Sequence, residues 1–75
     1  MKKSISLSNQ LEQIEKKVLK QDYAEALDLL EVVYLNNSAD IHINLLIGEM
    51  HLSLGQYRES KKYFQNSKKL AHALS

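Results

Sequence analysis

Leu11, Glu15, Tyr23 and Glu25 each recur 34 positions later, as Leu45, Glu49, Tyr57 and Glu59. Conservative pairs fall on the same offset: Val18 with Leu52, Ala26 with Ser60, and Leu30 with Phe64. Overall identity between the halves is low, but the matches cluster where helices would touch. A fixed period of this kind constrains architecture strongly, because a repeated unit buries its apolar face only against a neighbouring copy.

The local pattern inside each period is helical. A first helix is expected from about Leu7 to Lys20, with Leu11, Ile14, Val18 and Leu19 at helical spacing and Asn9 with Glu12 as a capping box. A second opens at Asp22, with Glu25 three residues on as a reciprocal cap. Its stripe is Ala26, Leu27, Leu29, Leu30 and Val33, and it stops in Asn36-Asn37-Ser38. A third begins after Asp40 as N-cap, carries Ile41, Leu45, Leu46, Met50 and Leu52, and ends at Gly55, suited to a left-handed C-terminal position. The fourth starts near Tyr57, with Glu59 three residues after Gln56, continues through Tyr63 and Phe64, and frays towards Ser75.

There is no proline and there are only two glycines, which argues against a loop-rich or all-β chain. The links between helices one and two, and between three and four, are two or three residues long, so the helices they join run antiparallel. The expected fold is all-α: two tandem helix-turn-helix hairpins, four antiparallel helices. Residues 1–6 are read as a flexible N-terminus and 7–75 as a single domain, with units 7–38 and 41–74.

Composition narrows the function classes. Seventy-five residues support one core at most, and the absence of cysteine leaves neither disulfides nor thiolate zinc to supplement it. Ten Lys/Arg against nine Asp/Glu give a formal charge of +1, too small to predict nucleic-acid affinity. Met1-Lys2-Lys3 is not succeeded by an apolar run, and the block Leu45-Leu46-Ile47 is too short to span a bilayer, so no membrane partner is expected and the location is read as cytoplasmic. No nucleophile stands beside a base and no glycine loop could cradle a phosphate. The chain therefore reads as non-enzymatic, with no cofactor. His42 and His51, nine apart, fall on opposite sides of one helix, and with His72 they do not suggest a metal site. His51 reads as a satisfied, partly buried histidine.

The second unit has small Gly48 midway along its first helix, then Gly55-Gln56-Tyr57, Ser60, Phe64 and Ser67. In this pattern and its period the chain resembles the tetratricopeptide repeat (TPR) family. The first unit matches at Tyr23, Ala26, Leu30 and Val33. It departs at Gln21, where the family usually has glycine, and at Ile14, where it has a small residue. Proline is absent from the unit ends, where Ser38 and His72 stand. The resemblance implies that Gly48 allows close helix approach, that the rings of Tyr23 and Tyr57 cover the preceding turns, and that Phe64 fills a core to which Ser60 and Ser67 leave room. It also implies that the first helix of each unit lines a concave groove. The residues carried over are Ser8, Leu11, Glu15, Val18 and Leu19, then His42, Leu45, Glu49, Leu52 and Ser53.

Such a groove suits an amphipathic helix or extended apolar segment of another protein, ideally carrying a basic residue. Glu15 and Glu49 would repel a C-terminal carboxylate. The chain's own N-terminus is the competing occupant. These features together read as a protein–protein interaction module, a small adaptor or chaperone. In size and groove character it is loosely similar to the small TPR-type chaperones of bacterial type III secretion. A second alternative is a basic RNA-associated helical module, because Arg58, Lys61, Lys62, Lys68 and Lys69 share one face of helix four. No aromatic is interleaved there to stack a base, so a solvated face is the simpler account. Two repeats with apolar Leu70, Ala71, Ala73 and Leu74 at the end leave a stacking face uncovered, so a homodimer or hetero-oligomer is expected.

Overall fold

The computed structural model describes residues 6–74. It contains four α-helices: α1 (Leu7–Leu19), α2 (Tyr23–Tyr34), α3 (Ile41–Ser53) and α4 (Tyr57–Leu74), with no strand among the described residues. Helix α1 packs on α2, α2 on α3, and α3 on α4, giving an all-α fold of two helical hairpins in series. The readings for residues 1–5 and for the chain end at Ser75 fall outside the described residues.

The helix starts differ in detail from the sequence reading. Ser6, not Asn9, caps α1: its hydroxyl accepts the Asn9 N–H at 3.2 Å. The anticipated Asn9–Glu12 box therefore lies inside the first turn, where Asn9 is already helical. Asp22 does stand at the N-cap of α2, but its side chain makes no capping bond. Glu25 turns instead to Lys17 of α1, at 2.6 Å, because a charged ammonium is a stronger partner than a backbone amide. Asp40 caps α3 as expected, its Oδ1 accepting the Ile43 N–H at 2.9 Å.

The two tight turns share one geometry. At the end of α1 the Gln21 N–H donates to the Val18 carbonyl and the Asp22 N–H to the Lys17 carbonyl, both at 2.9 Å. At the end of α3 the Gly55 N–H donates to Leu52 at 3.0 Å and the Gln56 N–H to His51 at 2.8 Å. Every donor and acceptor in the second set is displaced by 34 positions from the first. Both sets form the paired bonds that close a helix through a left-handed residue. Gly55 has φ 76°, and Gln21 reaches φ 62° in the same role, though it has a Cβ.

The core comprises Ile14, Ala26, Leu27, Leu30, Val33, Ile43, Ile47 and Met50. Gly48 lies against Phe64 so closely that a Cβ there would be 2.7 Å from the ring. Ser60 and Ser67 are buried beneath α3, and their hydroxyls donate to the Tyr57 and Phe64 carbonyls at 2.9 Å. Tyr57 does not cover the preceding turn: it is 68 % exposed. It is the first residue of α4 and sits on a flank that no other described helix covers. Tyr23 is half-buried against the core.

Asn44, which carries no role in the sequence reading, is fully buried. Its amide donates to the Ser38 carbonyl at 3.0 Å and to the Asp40 carbonyl at 2.7 Å, while its Oδ1 accepts from Asn66 at 2.8 Å. One side chain thus ties the inter-hairpin loop, α3 and α4 together. The available signal was a lone amide inside the apolar run Ile43-Asn44-Leu45-Leu46-Ile47.

Candidate functional site

Because α2 stands between α1 and α3 in the order of packing, the first helices of the two hairpins face each other across an open cleft. Its volume is about 260 Å³, and its lining is Leu11, Ile14, Glu15 and Val18 from α1 with His42, Leu46, Glu49 and Met50 from α3. Leu11, Glu15, Val18, His42 and Glu49 of the expected groove come together here. Ser8, Leu19, Leu45, Leu52 and Ser53 are exposed but do not line this cleft.

Helix rotation explains the difference. Leu45, Gly48 and Leu52 occupy one i, i+3, i+7 row, and Gly48 shows that this row borders Phe64 of α4. Leu46 and Met50 lie on an i, i+4 row of their own and face α1. Residue spacing in α3 contained the signal, since Ile43, Leu46, Ile47 and Met50 form an unbroken apolar stripe. Locating the cleft needed the direction from which α1 approaches.

The floor is apolar, supplied by Leu11, Ile14, Val18, Leu46 and Met50, and two carboxylates, Glu15 and Glu49, stand on the rim with His42. No polar atom on the floor requires a specific donor or acceptor. The arrangement can bury an apolar stripe and place a cation near the rim. Among the described residues no group of three or more His, Cys, Asp or Glu is placed to hold a metal.

His51 belongs to the core instead. It is 7 % exposed, its Nδ1 lies 2.7 Å from Gln56 Oε1, and its ring stacks on Tyr63 with centroids 5.6 Å apart. Tyr63 meets Tyr34 edge to face at 5.7 Å, joining α4 to α2. Burial pushes the Tyr63 phenol pKa up, and the nearby Tyr34, Glu31 and Glu59 push it in the same direction.

Arg58, Lys61, Lys62, Lys68 and Lys69 are all exposed on one side of α4, and Lys62 approaches Glu59 at 3.6 Å. No helix among the described residues is long and apolar enough to cross a membrane. Compared with known proteins, the chain matches no family model, no curated protein and no solved structure.

Proposed function

We propose that the chain is a TPR-like, non-enzymatic interaction module of the cytoplasm, a small adaptor or chaperone that holds an amphipathic helical segment of another protein. The observation that carries this reading is the α1–α3 cleft, with an apolar floor and an acidic rim. The turn geometry repeated at 34 residues supports the TPR-like interpretation. A helix presenting apolar residues at i, i+3 and i+4 buries them on Leu11, Val18, Leu46 and Met50. A Lys or Arg beside that stripe meets Glu15 or Glu49 and sets the orientation of the ligand.

Selection from a library of helical peptides tests this directly. Binders are expected to share an apolar stripe flanked by Lys or Arg, and Leu46→Glu is expected to weaken them at least about tenfold by placing a charge on the floor. Glu15→Lys with Glu49→Lys is expected to shift the preference towards acidic flanks. Binders indifferent to all three substitutions would remove the cleft as the site.

A further inference from the structure

Each hairpin has an outer flank, the side turned away from the other hairpin, and the two flanks differ in charge. On hairpin one, Leu29 and Val32 of α2 border a cleft of about 270 Å³ with Gln10 and Gln13, and Val32 is 58 % exposed. The neighbouring helical positions on α2 are acidic: Glu25 lies four residues before Leu29, and Asp28 four before Val32. Lys17 of α1 pairs with Glu25, so the border is acidic by the charge of Asp28. Helix α2 carries Glu25, Asp28 and Glu31 and no basic residue. On hairpin two the outer flank is formed by Leu45 and Leu52 beside Phe64, and Leu52 is 47 % exposed. Here the border is basic on balance: Lys61 and Lys68 stand three residues before and four after Phe64 on α4, against Glu49 of α3, four after Leu45 and three before Leu52.

An apolar patch with an acidic border at one end therefore matches an apolar patch with a basic border at the other. The geometry points to a second copy of this chain as the occupant, docked head to tail. The flank of hairpin one on one copy covers the flank of hairpin two on the next, with Asp28 opposed to Lys61 and Lys68. The like-charged arrangement, two copies meeting through the same flank, sets lysine against lysine or carboxylate against carboxylate and is disfavoured. A head-to-tail contact leaves one flank of each kind free at the ends, so association continues beyond two chains unless it closes into a ring. This surface is separate from the α1–α3 cleft and does not depend on the peptide-binding reading.

Sedimentation velocity of the full chain from micromolar to millimolar concentration tests the proposal. Species larger than a dimer are expected to grow with concentration, and raising salt from about 50 to about 500 mM is expected to weaken association by roughly tenfold, as screening predicts for surface charges. Asp28→Lys with Val32→Lys should hold the chain monomeric, as should Leu45→Lys with Leu52→Lys, each pair placing lysines on one of the two flanks. Mixed together, the two variants retain one intact junction and should form a heterodimer that grows no further. Circular dichroism checks that each keeps its helix content, and Lys61→Gln with Lys68→Gln replaces any pair that unfolds. Leu46→Glu in the cleft should leave association unchanged. A parent chain that stays monomeric throughout, that stops at two copies without forming a ring, or that associates regardless of these flank substitutions would overturn the inference.

Discussion

Gly48 has no room for a methyl group, since the Phe64 ring would stand 2.7 Å from it. Gly48→Ala must push the ring or the helix aside. It is expected to destabilise the fold by about 1–3 kcal/mol in urea unfolding, the usual cost of overpacking. Phe64→Leu in that background should recover part of the loss, because the smaller side chain leaves the methyl a place. Gln21 presents the opposite case. It adopts the left-handed conformation that Gly55 adopts 34 positions later, but with a Cβ that crowds the backbone there. Gln21→Gly is expected to raise stability by about 1 kcal/mol, and an unchanged urea midpoint would show that the turn carries no such strain. At this scale Gly48 and Gly55 were legible in the sequence because glycine has few reasons to occur in a helical chain. The exposure of Tyr57 was not, because a ring is covered only where another element packs over it, and no described element packs on that flank of α4.

The elements are joined by groups whose worth depends on their surroundings. Asn44 is satisfied on both sides of its amide, so its removal exposes buried partners rather than merely deleting a contact. Asn44→Ala is expected to cost about 1–3 kcal/mol, the penalty for leaving Asn66 and the Ser38 carbonyl unpaired, while the Asp40 carbonyl keeps the backbone N–H of residue 44. Asn66→Ala should cost less, since it leaves the loop bonds in place. Between α2 and α4 the relevant group is the Tyr63 phenol. Its pKa is raised in the folded state, so the stabilisation it contributes is complete below the unfolded tyrosine value and is lost as pH rises through the folded one. Melting temperature should therefore fall on the alkaline side, and Tyr63→Phe should flatten that limb. The exposed Lys17–Glu25 pair has the complementary signature. The hydrogen bond and the opposite charge raise the lysine pKa and lower the glutamate pKa. Its contribution is present between the two ionisations, fading as acid protonates Glu25 and as alkali deprotonates Lys17. Helix positions and both short links were legible from apolar spacing and turn chemistry. The cross-hairpin pair was not, because the sequence alone favoured a local cap for Glu25.

The whole molecule is thin, with extents of 39 × 29 × 16 Å and a radius of gyration of 12.7 Å, against about 11 Å for a compact chain of this length. A slab of this shape has large flanks relative to its interior, which is why so many leucines remain exposed. The 34-residue offset made the serial order of the hairpins legible. It does not give the rotation of α3, which brings Leu46 and Met50 into the cleft and leaves Leu45 and Leu52 outside it. The packing is also graded along the chain. Helix α1 has one helical neighbour and one fully buried residue, Ile14, whereas α3 is packed on both sides by α2 and α4 and buries six residues. In a serial fold each element opens at a cost set by its own neighbours. Native-state hydrogen exchange should show α1 amides opening with a lower free energy than those of α3, with little dependence on denaturant for the weakest. Ile14→Ala should lower the opening free energy of α1 first and leave the α3–α4 amides closer to their parent values. If every helix exchanged at one common free energy in both chains, the hairpins would form a single cooperative unit, and stacking on α2 would be worth far more than the single helical neighbour of α1 implies.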